Sequence, residues 1–520
     1  MAEKTDTNTL ELYTFSVFRN AVKDIFKIGS ILTYTLCLGY IMLTVCVLFC
    51  SRFGKNEMAA ITLALALLSS VCFVPAAGLM TVCNTYFSVG QGANLGRSQG
   101  IYLQKMVYLS IIASLLCNAI LIHIDYILMF LDKEPDVIAL VEIFVRTCIP
   151  GTFAVFITVG LGRILQCRNK MAVTAVAATI GVGFNVLLNY ILVYVLDMGF
   201  RGSAIALLLA QYINCIILAV YVYKYEDLEF FSLKSLENWG EFFSIAVHGC
   251  LIFEIMQMAI IICYILAGQF GALEIAVLGA FEILEIYVYI VLLGLSSSVT
   301  ILVGQYFGKK DVKNAKIIVK SAFIFLLGLS FVAAVTLFLS RDYVGYIYTY
   351  DREIITAFAK IIPLTIIMIF SATIEAIVKA ILQAIGRQNI GTVTSLISYS
   401  CALPLSVLFA FKLDWKATGL CAGIIFGTVL EACILLVVLF NIDFKKEADL
   451  AIERCREEDL RTHNSVQSNG KLQHEGKEES SSLIANTKYI LSKTTIIIRI
   501  LNFAIPILLF LASFFMYLLY

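Results

Sequence analysis

The sequence predicts an all-α polytopic membrane protein: two six-helix lobes related by a pseudo-two-fold axis along the membrane normal, followed by one accessory C-terminal helix. Three observations predict it. Of the 520 residues 60% are hydrophobic and 14% charged, with a mean hydropathy of +0.90, whereas water-soluble chains carry roughly 25% charged residues. Apolar runs long enough to cross a hydrocarbon core of about 30 Å, at about 1.5 Å per residue, recur along the chain. A segment of the first half also returns in the second at a fixed offset. Other classes fall away. A net charge of +1 leaves no basic footprint for nucleic acid, and with charges running through Asp24 ahead of the first apolar run no cleavable signal peptide is expected.

In chain order, residues 1–25 read as a charged cytoplasmic arm. Spans are expected near 26–50, 58–86, 99–124, 136–166, 171–196 and 201–224, which make an N-lobe of 26–224. After a loop at 225–240, spans near 241–267, 272–303, 314–340, 353–384, 389–412 and 416–441 make a C-lobe of 241–441. A thirteenth span is expected near 494–519, within a C-terminal segment 494–520. Short loops rich in Lys and Arg stay in the cytoplasm. With the N-terminus inside, that side collects residues such as Arg97, Arg163, Arg168, Lys170, Lys309, Lys310 and Arg387, and the other side the fewer Arg52, Lys55, Lys133, Arg201, Arg341, Arg352, Lys412 and Lys416. The count supports N-terminus in and C-terminus out.

The stretch 442–493 holds nine Lys/Arg and ten Asp/Glu. Its first part, KKEADLAIERCREEDL, has helical charge spacing, and its second, NSVQSNGKLQHEGKEESSS, has the low hydrophobicity of a disordered segment. It reads as a cytoplasmic charged linker, a solvated tether to the last span.

The repeat is specific. GLMTVCNTYFSVGQG at Gly78–Gly92 and GLSSSVTILVGQYFG at Gly294–Gly308 lie 216 positions apart, ILQ at Ile164–Gln166 returns at Ile381–Gln383, and Gly202 answers Gly419. An even number of spans separates equivalent points, so the halves share an orientation, the arrangement of alternating-access carriers in which one bundle rocks against the other about a central site. Pro150 and Pro363 close the same repeat element and are expected to kink spans 4 and 10.

The repeated segment, as SVGQGAN at Ser88–Asn94 and LVGQYFGKKD at Leu302–Asp311, resembles the motif that closes spans 2 and 8 in the multidrug and toxin extrusion (MATE) family. DKEPDVI at Asp132–Ile138, DMGFRGSAIA at Asp197–Ala206 and VGYIYTYDREI at Val344–Ile354 resemble its eukaryotic branch, and a thirteenth span after a long loop is a feature of its animal members. The likeness covers about residues 20–441. It implies twelve helices in two lobes around a central cavity, and secondary antiport in which organic cations or xenobiotics leave the cell, through the plasma membrane, in exchange for protons, or for sodium in some bacterial members. Gly92, Gly304, Gln305 and Gly308 are then gate residues of the motif.

Ionisable residues within spans cost about 2.5–3.5 kcal/mol each at a helix centre and are functional candidates by default. The deep acidic ones are Glu254, Glu274, Glu282, Glu285, Glu375 and Glu431, concentrated in spans 7, 8 and 10, where the resemblance places the essential carboxylates. Glu254, Glu282, Glu285 and Glu375 are the candidates for proton and cation coupling. A carboxylate in apolar surroundings can hold either a proton or an organic cation, and one site that takes either but not both gives exchange. Counted without gaps, the family's positions fall at Met256, Ile283 and Thr373, beside these glutamates. Glu375 also has a structural alternative, because Lys379 lies four residues on along the same face. Tyr264 and Tyr289 are candidates for a cation–π wall, and Thr35 and Ser69 stand where animal members carry a Gln and an Asn. Ser30 and His248 stand at the positions of a Pro in spans 1 and 7.

Nothing indicates catalysis, a cofactor, a nucleotide or a metal. GQGANLGRS at Gly90–Ser98 fails the phosphate-loop pattern, with five residues between its glycines and Arg97 in place of Lys. His123, His248, His463 and His474 are scattered, and the 15 Cys, mostly within spans, read as small hydrophobes. The expected partners are small organic cations, protons and the lipid bilayer, with the chain a monomer. Two rivals are a sodium-coupled or uncoupled carrier of the same fold and a flippase for lipid-linked headgroups. A flippase calls for Arg or Lys facing phosphate, whereas the excess within these spans is acidic.

Overall fold

In the computed structural model of the chain, residues 2–125, 135–226, 228, 233–347 and 351–456 are described. Among them twelve helices are long and apolar enough to cross a membrane. These are span 1 (Ser16–Cys50), span 2 (Asn56–Gly92), span 3 (Ser98–Ile122), span 4 (Asp136–Cys167), span 5 (Met171–Val195) and span 6 (Gly199–Tyr225), then span 7 (Trp239–Ala267), span 8 (Leu273–Gly308), span 9 (Val312–Val344), span 10 (Arg352–Ile385), span 11 (Gln388–Lys412) and span 12 (Lys416–Asn441). The expected thirteenth span and residues 457–493 lie outside the described residues.

Span 1 begins well before residue 26. Arg19, Lys23 and Asp24 are exposed while Ala21 and Ile25 are buried, so these charges of the expected arm lie on the outer side of a helix that has already started. An apolar-run criterion cannot see a helix that is apolar on one side only.

Backbone groups inside a bilayer must be satisfied within the segment, and spans 5 and 11 do this with the same device in the two lobes. Spans 5 and 11 each finish in a π-helical turn, Tyr190–Val195 and Leu408–Lys412. The next helix presses a glycine into that turn: a Cβ on Gly202 would lie 2.8 Å from the Leu192 carbonyl oxygen, and one on Gly419 2.6 Å from the Ala410 nitrogen. Left-handed residues recur in matching places, Asp197 with Asp414 and Asn94 with Lys310. The repeat therefore extends from sequence to backbone geometry.

The buried clusters show how the lobes meet. At one end each lobe keeps its own core: Cys46, Ile61, Phe144 and Phe200 in one, Cys263, Phe281, Phe358 and Ile424 in the other. At the opposite end the cores exchange helices. Phe242, Ile245 and Ala246 of span 7 join Val82, Tyr86 and Phe87 of span 2, while Ala21 and Ile25 of span 1 join Val299, Phe307 and Ile377 of the C-lobe. The lobes are thus separate at one end and fused at the other.

Residues 444–456 are helical and lie at the fused end. Ala448, Ala451, Ile452 and Cys455 are buried, the spacing of one helical face. The helix touches both lobes: Tyr102 OH donates to the Arg454 carbonyl at 3.5 Å and the Cys455 thiol to the Tyr86 carbonyl at 3.9 Å. On the C-lobe side Arg454 donates to the Ile385 carbonyl at 2.7 Å and pairs with Glu241 at 2.7 Å. Arg387 forks onto Glu447 with two bonds of 3.0 Å, which raises the pKa of Arg387 above its ordinary value. The expectation of a solvated tether fails over these residues, because the charges that suggested it are arranged around an apolar stripe.

Candidate transport site between the lobes

The repeated motif lies where the lobes close on each other. A Cβ on Gly92 would stand 2.1 Å from the Gln305 carbonyl oxygen, one on Gly308 2.2 Å from the Val89 carbonyl oxygen, and one on Gly304 2.0 Å from Ser88 Oγ. A Cβ on Gly78 would lie 2.6 Å from Cys250 Cα of span 7, and one on Gly294 2.6 Å from Thr33 Cα of span 1. The Gly92–Gln305 and Gly308–Val89 contacts map onto each other through the offset of 216, as do Ser88 and Gly304, so the pseudo-two-fold axis runs between them. Hydrogen bonds fasten the same closure. Gln305 Nε2 donates across the lobes to the Cys167 carbonyl at 2.8 Å and to Asn169 Oδ1 at 3.2 Å, and Thr85 Oγ1 donates to the Gln383 carbonyl at 2.6 Å.

Of the expected kinks, Pro150 sits in a 3₁₀ turn, Ile149–Gly151, that interrupts span 4, and its carbonyl accepts a bond from Tyr212 OH at 2.6 Å. Pro363 lies on the exposed side of span 10, whose helix runs on through it.

The acidic residues of the C-lobe divide into three kinds. Glu274 is used structurally: its carboxylate accepts the Ala417 N–H at 3.0 Å and caps the start of span 12. Glu375 and Glu431 are buried and share one ammonium, with Lys379 Nζ 2.5 Å from Glu375 and 2.8 Å from Glu431, and Ser395 adds a bond of 2.6 Å to Glu431. Two carboxylates and one ammonium leave this trio one negative charge in excess when all three are ionised. Glu254, Glu282 and Glu285 are half-buried and face no cationic side chain among the described residues. Tyr264 OH donates to Glu282, and Glu254 Oε1 is buried with no partner.

Tyr289 is half-buried and within electrostatic reach of Glu375, Lys379, Glu285 and Tyr40. Glu282 also acts on Tyr40 of span 1, so Tyr40, which sequence reasoning missed, belongs to the same neighbourhood from the N-lobe side. Thr35 turns back to bond the Ile31 carbonyl at 2.9 Å. Ser69 opens a π-helical turn, Ser69–Phe73, ahead of Pro75. Among the positions counted from the family motif, Thr373 is buried and bonds Ser330 at 2.6 Å, while Met256 is half-buried and Ile283 exposed.

A second polar cluster, also missed, lies inside the N-lobe. Asn185 and Asn189 of span 5 each point an amide at Cys46 Sγ at 4.0 Å, and their side-chain Oδ1 atoms and Ser203 Oγ are buried without partners. It carries no formal charge. Among the described residues no group of His, Cys, Asp and Glu could hold a metal ion.

Comparison with known proteins agrees with this arrangement. The MatE family model matches residues 32–191 and 250–408, one match per lobe. Multidrug and toxin extrusion protein 2 of Oryctolagus cuniculus is 27% identical over 440 residues, covering 84% of this chain and 73% of the relative. Multidrug and toxin extrusion protein 1 of Homo sapiens is 28% identical over 447 residues, covering 84% and 77%. Among solved structures, the eukaryotic MATE transporter AtDTX14 superposes with a TM-score of 0.80 at 20% identity, over 84% of this chain and all of that one. An outward-facing multidrug resistance MATE transporter superposes with a TM-score of 0.74 at 16% identity, over 83% and 96%. With the family matched across both lobes, the repeat carried into the backbone and twelve spans in two lobes, the chain belongs to the MatE family of multidrug and toxin extrusion transporters and is a transporter, not an enzyme.

Proposed function

We propose that the chain is a proton-coupled antiporter that exports small organic cations from the cell across the plasma membrane, with its N-terminus cytoplasmic. The observation that carries this reading is the placement of Glu254, Glu282 and Glu285, half-buried carboxylates of one lobe with no basic partner among the described residues. A carboxylate in that setting is stabilised by a proton or by an organic cation, and neutralising it with one removes its attraction for the other. Tyr264, Tyr289 and Tyr40 stand near Glu282 and Glu285, where an aromatic face is worth about 0.5–2 kcal/mol toward a cation. Glu375 works with Lys379 and Glu431 as one unit with a single surplus charge, so its part in coupling is shared rather than individual.

In this reading Gly92, Gly304, Gln305 and Gly308, which close the fused end, act as the gate on that side. Orientation follows the positive-inside asymmetry, which puts the fused end, with Lys309, Lys310 and Arg387, in the cytoplasm and leaves the site open outward.

Proteoliposomes holding the purified chain and an imposed pH gradient should accumulate a fluorescent organic cation, and the accumulation should collapse when the gradient is dissipated. Glu254→Gln should abolish this uptake with unchanged insertion. Uptake that ignores the gradient would overturn proton coupling, and a wild-type rate in Glu254→Gln would remove that residue from the mechanism.

A further inference from the structure

We infer that the helix 444–456 is a strap that holds the cytoplasmic gate shut: it stays hinged on the C-lobe through the transport cycle and must leave the N-lobe before that gate opens. The inference rests on the reading of the fused end as the gate.

The strap lies across the seam between the lobes. Thr85 Oγ1 of span 2 donates to the Gln383 carbonyl of span 10 at 2.6 Å. Two residues on, the Ile385 carbonyl accepts from Arg454 at 2.7 Å, and a Cβ on Gly386 would lie 2.5 Å from Arg454 Nη1 and 3.0 Å from Thr85 Cγ2. The Cys455 thiol reaches the carbonyl of Tyr86, the neighbour of Thr85. The buried stripe of the strap is divided between the lobes: Ala451, Ile452 and Cys455 join Val82, Tyr86 and Phe87, while Ala448 joins Phe307 and Ile377. Lobes that part along this seam cannot both keep it.

Three observations decide which lobe does. Only Ile442 and Asp443 separate the strap from the end of span 12 at Asn441, and two residues extend at most about 7 Å. Asp443 also caps the strap, accepting the Lys445 N–H at 3.0 Å, so the connection is a formed turn. The directional contacts favour the same side: the double bond of Arg387 onto Glu447, the Arg454–Glu241 pair at 2.7 Å and the Phe444 ring edge-on to Phe307 at 6.0 Å. Among the described residues the bonds to the N-lobe are one of 3.5 Å from Tyr102 and one of 3.9 Å from the Cys455 thiol, the first long for its kind and the second from a weak donor. Apolar contact is what seats the strap there. An interaction kept in both states cancels from the gate equilibrium, and only one that differs between them shifts it. Docking of Ala451, Ile452 and Cys455 on the N-lobe therefore biases the gate toward closed, and the Arg387–Glu447 pair does not.

Hydrogen exchange of the full chain in lipid nanodiscs, read by mass spectrometry, tests this in both directions, because coupling between two places is reciprocal. Gly304→Ser forces the closure apart at a site whose close neighbour is Ser88, not the strap. It should speed exchange of the amides of 449–456 by about tenfold or more and leave those of 444–447 within about twofold. In the other direction, Ile452→Glu puts a carboxylate where the side chain is 8% exposed. Exchange across 85–94 and 303–310 should then rise by about tenfold or more, the worth of burying one isoleucine side chain. Ile452→Ala should move the same amides the same way by a smaller factor, which keeps the test alive if the glutamate variant does not fold. Arg387→Gln removes a pair that both states keep and should leave 85–94 and 303–310 within about twofold. Strap amides that stay protected in Gly304→Ser while 85–94 and 303–310 exchange faster would overturn the proposal, as would indifference of those segments to both Ile452 variants. Faster exchange throughout 444–456 in Gly304→Ser, or a motif opened by Arg387→Gln as far as by Ile452→Glu, would overturn the hinge. A motif that stays protected in Gly304→Ser would overturn the gate at the fused end, and the strap with it. Neither gradient nor substrate enters the measurement, so a failure of proton coupling leaves this result readable by itself.

Discussion

At the scale of single residues, the membrane-embedded charges are informative because each is so expensive to place. Lys379 shows how the expense is met: it is shared between Glu375 and Glu431, which are 6% and 0% exposed. Removing one partner of such a buried group costs about 3–5 kcal/mol, because the other charges are left uncompensated. Lys379→Met should therefore lower the melting temperature of the purified protein sharply, and adding Glu375→Gln and Glu431→Gln should recover most of the loss. Unchanged melting in the single variant would show that charge does not hold the trio. The sequence made the Glu375–Lys379 pair legible, since the two residues lie four apart on one helix. Glu431 was visible only as a deep carboxylate, because its contact with Lys379 joins two spans that are distant in sequence. Glu254 was found by the cost of burying a carboxylate, but its lack of a partner is a fact of packing that no residue pattern reports.

At the scale of elements, the spans could be read from run length alone, since a helix in lipid must be apolar for about 20 residues. The first turns of span 1, apolar on one side only, escaped; the helix at 444–456 was legible from its charge spacing, but its docking on the lobes was not. That helix bridges spans 2 and 3 of one lobe and spans 7 and 10 of the other, at the end where the lobes are fused. If the lobes part there during transport, the bridge must come undone at one side. Arg454→Glu removes the bond to the Ile385 carbonyl and turns the pair with Glu241 into a repulsion. It should expose Cys455, which is 1% exposed, to a water-soluble maleimide, with Cys455→Ser as the control. A Glu241→Arg partner change should restore protection. Labelling of Cys455 at the wild-type rate in Arg454→Glu would mean that the apolar stripe alone seats the helix.

At the scale of the whole molecule, the repeat is more than a sign of ancestry, because its axis passes through the contact that closes the lobes. Motif likeness alone exposed the offset, but not that Ser88 and Gly304 would face each other as equivalents. That pairing sets a test of the symmetry itself. A Cβ on Gly304 would lie 2.0 Å from Ser88 Oγ and 2.6 Å from Ser88 Cβ, so Gly304→Ser puts two side chains where there is room for one. The lobes should then be held apart at the fused end. Transport should fall to background, and a disulfide between cysteines placed at Asn94 and Lys310, matching exposed positions just past the motif in each lobe, should form less readily than in the wild-type background. Moving the side chain across the axis, with Ser88→Gly and Gly304→Ser together, restores one hydroxymethyl group at an equivalent place. The double variant should close, crosslink and transport far better than either single change predicts. If it is as inactive as Gly304→Ser alone, the two positions are not equivalent about the axis, and closure depends on what each lobe contributes separately.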